Sequence, residues 1–159
     1  LWWYGNYAWH RKSIRTKYFP VVYMAQGEAW NRIAEETASR PAVIAYWGTA
    51  VIFHLFGAEL QNRLVNLRLH AEDEPRPIEL TSNQSIYLQL ARQRRAKVDV
   101  AYWLDQLRDH QVDFLYLVDD PALGGVRAEL SNAAANPHLL QLIFQKDNVY
   151  LYQVNGKGF

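Results

Sequence analysis

Residues 42–47, "AVIAYW", form a short apolar run with no alternation, as in a strand covered on both faces. "VDFLYLV" at 112–118 reads the same way, and "RLVNLRL" at 63–69 supplies another strand between them. Upstream, 28–39 sets Trp30, Ile33, Ala34 and Thr37 on one helical stripe, with Glu35 and Glu36 turned away. Arg40-Pro41 ends that helix, because the residue before proline avoids the helical region. Val100, Trp103, Leu104 and Leu107 hold the i, i+3, i+4, i+7 spacing and predict a helix over 100–110. Asp99 is placed to cap its first turn, and His110 suits the partial negative charge at its end. A helical stretch is expected within 123–135, and 139–145 with 149–154 predict a hairpin across Lys146-Asp147-Asn148. Residues 51–60 predict a short helix or helical turn after Gly48-Thr49, and "IYLQLARQRRAK" at 86–97 another helix.

Strand and helix alternate, so the predicted class is α/β: a three-layer Rossmann-like sandwich, mainly parallel, with a C-terminal antiparallel hairpin. Right-handed crossovers set the first and third strands side by side and the second outside them. A single α/β domain is expected over 21–159. The charged, proline-containing stretch 72–97 reads as a surface insertion in it.

Composition narrows the function. Of 159 residues, 50% are hydrophobic and 14% aromatic, which argues against disorder. The net charge of +1 gives no field for recruiting nucleic acid, so none is expected as a partner. With no cysteine, disulfides, thiolate metal sites and a cysteine nucleophile are excluded. Met24 is the only methionine, so the chain is expected to be a segment of a longer protein or one whose leader was removed. Residues 1–20 form a distinct arm. Trp2, Trp3, Tyr4, Tyr7 and Trp9 stand just ahead of His10, Arg11, Lys12, Arg15 and Lys17. Aromatic rings beside cations are what a membrane–water interface selects, although packing of the arm on the domain is the alternative. Arg92, Arg94, Arg95 and Lys97 form a second basic cluster, read as a solvated face or an anion contact. Asn83-Gln84-Ser85 matches the glycosylation sequon.

Ligands of such sheets bind beyond the carboxyl ends of the strands, near the switch in strand order. That rim carries Gly48, Thr49, Asp119 and Asp120, with His54 nearby. Gly48 would let a ligand approach backbone, Thr49 offers a hydroxyl, and Asp119 or Asp120 could accept bonds from sugar hydroxyls or hold a metal. Turn chemistry before Pro121 is the plainer role of the two acids. The dinucleotide fingerprint is missing, since Gly57 follows Gly48 only nine residues on. The five histidines form no HxH or HExxH pair, and no nucleophile elbow or phosphate loop is present. No catalytic residue, cofactor or metal set is therefore assigned.

"IAYWGTAVIFHLFGAELQNRLVNL" resembles the soluble C-terminal module of polytopic membrane glycosyltransferases of the dolichyl-phosphate-mannose and aminoarabinose transferase type (GT-C). The features concerned are Gly48-Thr49, Leu55-Phe56-Gly57, Leu60 and Asn62-Arg63, with Val65 in the strand. "YWLDQLRDHQVDFLYL" and "NPHLLQLIFQKDNVYLYQV" fit the closing part. The resemblance implies a parent with transmembrane helices before Leu1 that transfers sugar from a polyprenyl-phosphate donor. Its catalytic carboxylate would lie outside this chain. The module would be an extracytoplasmic accessory domain, with the membrane portion of the parent, lipid headgroups or lipid-linked sugar as partners. The basic flank of the arm departs from the charge rule for that side. From the residues alone, a free-standing nucleotide- or sugar-binding module remains open. So does a small metal-dependent enzyme using Asp119 or Asp120.

Overall fold

The computed structural model describes residues 24–49, 51–67, 99–121 and 125–156. In chain order these form α1 (Met24–Glu36), β1 (Val43–Trp47), a 3-10 turn (Phe53–Phe56), β2 (Arg63–Asn66), α2 (Val100–Asp109), β3 (Phe114–Val118), α3 (Arg127–Ala135), β4 (Leu140–Lys146) and β5 (Val149–Val154). The class is α/β, with one five-stranded mixed sheet in the order β2-β1-β3-β5-β4. β1 runs parallel to β2 and β3, so the first and third strands are neighbours and the second lies outside them, as expected. β5 pairs antiparallel with both β3 and β4. The arm at 1–20, the surface stretch 72–97 and its basic cluster lie outside the described residues.

The lack of alternation in β3 has a simple cause: both of its faces are covered. Phe114, Tyr116 and Val118 join one apolar cluster with Ala25, Ala29, Trp30 and Ile33 of α1. Leu115 and Leu117 join another with Trp103 and Leu107 of α2 and Ala133 of α3. Period-two geometry sends successive residues to opposite faces, so a doubly covered strand must be apolar throughout. All five residues of β3 are buried.

Element ends differ from the sequence expectation for local reasons. α1 starts at Met24, not 28, because Ala25 and Ala29 extend its buried stripe. It ends at Glu36 rather than 39. The Thr37 amide closes the last regular turn on Ile33 O at 2.9 Å, and Ala38 N–H then reaches back only three residues, to Glu35 O at 3.3 Å. α2 begins as its spacing predicts, with Asp99 Oδ1 accepting the Tyr102 amide at 3.0 Å. It closes with Gln111 N–H on Arg108 O and Val112 N–H on Leu107 O, both 2.9 Å, with Gln111 at φ 54°. Residues 112 and 113 are thereby used before β3 starts at Phe114. Asp113 instead bonds the Val43 amide at 2.9 Å and Arg40 at 2.9 Å. The region 51–60 forms only the 3-10 turn, which stops at Gly57 (φ 79°). β2 ends at Asn66 instead of 69, while β4 starts at Leu140 and runs through Lys146.

Candidate functional site

The carboxyl ends of β1 and β3 meet where the chain leaves toward opposite faces. After β1, Val51, Ile52 and Leu55 pack with the α1 cluster. After β3, Val126, Leu130 and Ala133 pack with the α2 cluster. Divergence of this kind opens a crevice, the usual ligand position in α/β sheets.

Here the protein's own backbone enters that position. Gly48 has φ 80°, and a Cβ on it would lie 1.8 Å from the Val118 carbonyl oxygen. Its bare backbone is thus matched to β3. The Asp119 carboxylate accepts the Val126 amide at 3.1 Å, just ahead of α3. It therefore neutralises a free donor where a helix start would otherwise favour an anion. The Asp119 amide donates to Asn148 O at 2.7 Å, and Asn148 Nδ2 donates to Asp119 O at 3.2 Å. The hairpin turn between β4 and β5 so grips the same residue. Asp120 is half-buried; its amide donates to Val118 O at 2.9 Å and its carbonyl accepts Gly125 N–H at 3.0 Å.

Thr49 and His54 are drawn toward α1. The Thr49 hydroxyl accepts the Val51 amide at 3.0 Å and donates to Gln26 Oε1 at 3.4 Å. His54 stacks on Trp30 with ring centroids 4.3 Å apart and planes 22° apart. The structure therefore brings Gly48, Asp119 and Asp120 together around Val118. It ties Thr49 to the start of α1 and holds His54 against Trp30.

Two features escaped the sequence reading. Gly125 (φ 72°) would place a Cβ 3.0 Å from Asp119 Oδ1, so the bond to Val126 depends on it. The glycine pair in "LGGV" was its only signal. Glu129 and Asn132, 3% and 7% exposed, sit on the buried side of α3 with Ala133. Their three-residue spacing after Val126 was the available clue. Asn132 Nδ2 and Trp103 Nε1 are buried without a hydrogen-bond partner among the described residues. Within the α1 cluster, burial pushes the Tyr116 hydroxyl well above the ordinary tyrosine value of 10.0, with the Trp30 indole acting in the opposite sense.

Among the described residues no group of three or more His, Asp or Glu is placed to hold a metal. None of their helices is long and apolar enough to cross a membrane. No family model, curated protein or solved structure matches the chain.

Proposed function

We propose that the chain is a non-catalytic accessory domain of a membrane glycosyltransferase that uses a polyprenyl-phosphate sugar donor. It stands on the extracytoplasmic side and is anchored through its parent. In this reading the sheet and its two helical coverings form a three-layer Rossmann-like sandwich whose nucleotide site has been given up. The observation that carries the non-catalytic reading is the bonding of Asp119, one of the two acids of the rim. Its Oδ1 accepts the Val126 amide, and its main chain is bonded to Asn148. A carboxylate oxygen held on a backbone amide just ahead of a helix serves the fold, as a capping acid does. The glycosyltransferase reading rests on the sequence resemblance. Its motif residues organise the β1-to-β2 connection: Leu55 is buried, and Asn62 bonds Leu55 O at 3.0 Å and the Ala42 amide at 3.1 Å.

The test compares three preparations: the parent protein in membranes, the parent lacking this domain, and the 159-residue chain alone. Sugar transfer from a polyprenyl-phosphate donor is measured in each. The expected result is no transfer by the chain alone and impaired transfer by the truncated but correctly inserted parent. Transfer by the isolated chain would overturn the non-catalytic reading. Unimpaired transfer by the truncated parent would overturn the accessory one.

A further inference from the structure

Asn155-Gly156 follows Val154, the last residue of β5, and is the one place in the sequence where asparagine precedes glycine. In such a pair the glycine nitrogen can bond to the asparagine Cγ, because no Cβ on the glycine restricts the backbone rotation that brings them together. The structure leaves this pair free to do so. Gly156 is exposed, and its N–H donates to no group among the described residues. The Asn155 side chain is held by one long bond, from Nδ2 to the His138 carbonyl at 3.3 Å. The firmer bond of Asn155, from its own amide to Leu139 O at 2.8 Å, lies ahead of its Cα and restrains neither its side chain nor the link to Gly156.

The other asparagines of the described residues lack this combination. Pro137, after Asn136, has no N–H. The residues after Asn31 and Asn132 lie inside α1 and α3, and those after Asn66 and Asn148 are buried. Asn62 is itself buried, and the amide after it donates to Ala42 O at 2.9 Å.

We infer that Asn155 is a site of spontaneous deamidation, an age-dependent modification at the exit from β5. The Gly156 nitrogen gives its proton to a solvent base and bonds to Asn155 Cγ. The Cγ–Nδ2 bond breaks, and Nδ2 takes a proton from water and leaves as ammonia. Water then opens the cyclic imide at either carbonyl, giving aspartate or isoaspartate. One water is consumed and one ammonia released for each event, with no change of oxidation state. The product lacks the Nδ2 donor and sets a carboxylate against the His138 carbonyl, two acceptors with no proton between them. The turn from α3 into β4 thereby loses one of its two bonds to Asn155. The inference does not rest on the accessory reading, and neither experiment decides the other.

The test is a time course of the folded 159-residue chain in mildly alkaline buffer at physiological temperature, beside the same chain unfolded in guanidinium. Peptide mass spectrometry locates the acid, and chromatography separates aspartate from isoaspartate. The expected result is conversion at Asn155 ahead of every other asparagine in the folded chain, with both acids formed and a rate that rises with pH. Gly156→Ala should slow it several-fold at an unchanged melting temperature, since a Cβ there meets nothing within 4 Å. Asn155→Asp, which mimics one product, should speed amide exchange at Leu139 and Leu140 roughly fivefold, the worth of one hydrogen bond. Conversion at Asn155 confined to the unfolded chain would overturn the inference. So would faster conversion at another asparagine of the folded chain, or an equal rate in Gly156→Ala. Unchanged exchange in Asn155→Asp would overturn the consequence drawn for the turn.

Discussion

The rim between β1 and β3 and the groove beside β2 lie on the same sheet and differ in how their groups are used. At the rim, a carbonyl fills the space over Gly48, an amide takes the Asp119 carboxylate, and a hairpin turn holds the Asp119 main chain. Beside β2, Phe53 and Leu60 face solvent in an open groove that Phe56 and Leu64 also line, while Arg63 reaches the His110 carbonyl on the other face of the strand. The rim's bonds stabilise the fold, whereas the groove leaves apolar surface uncovered. In an α/β sheet the place to look for binding is therefore set by which groups remain uncommitted, and the switch in strand order is only a first guide.

The largest effect should come from Gly48→Ala. A methyl group placed 1.8 Å from Val118 O, on a residue at φ 80°, forces β1 and β3 apart. A loss of about 3 kcal/mol or more is expected in denaturant unfolding. An alanine variant with an unchanged midpoint would show that the rim is loosely closed and would dissolve the contrast.

Alkaline pH should come next. The folded state holds the Tyr116 proton above the ordinary value of 10.0, so between the two values the native chain binds more protons than the unfolded chain. The stability this contributes is complete below about pH 10 and is lost as pH rises further, with a slope of up to about 1.4 kcal/mol per pH unit. Tyr116→Phe should flatten that slope in melts between pH 9 and 11. A slope unchanged by the substitution would place the titrating group elsewhere.

Asp119→Ala should cost about 1 kcal/mol, as for loss of a helix cap, and should lower hydrogen-exchange protection at Val126 first. Equal protection in both proteins would mean that the carboxylate is not used as described. The smallest change is expected at Leu60→Gly, which relieves the left-handed residue at some cost in unfolded-chain entropy and should stabilise the chain by roughly 0.5 kcal/mol. Destabilisation there would make Leu60 part of the core, and the groove would then resemble the rim.

Much of the fold was legible because its signals are local. Val100, Trp103, Leu104 and Leu107 mark a helix by spacing alone, and Asp99 caps it as its position suggests. The neighbourhood of β1 and β3 agrees with the expectation, and the connections after β1 and after β3 lie on opposite faces of the sheet. The rim was legible as a location, since Gly48, Asp119 and Asp120 do converge on Val118. Its bonding was not. Whether Asp119 meets a ligand or the Val126 amide depends on Gly125 and Asn148, six and 29 residues away in the chain, and no periodicity reports such pairings. The groove was missed for the opposite reason. Phe53 and Leu60 are apolar, and in a sequence an exposed apolar residue looks the same as a buried one.

β5 follows every other described strand in sequence, yet it sits inside the sheet, between β3 and β4. A chain emerging from the ribosome therefore completes β1, β2 and β3 while the far edge of β3 has no neighbour. For that interval the most apolar strand of the molecule presents unpaired amides and carbonyls, a template for any other extended segment. The Asn148 turn that holds Asp119 is also made late, so the rim closes only when the hairpin docks. The last strand is thus the keystone of assembly. A truncation that removes β5 should yield an associating chain rather than a smaller folded one.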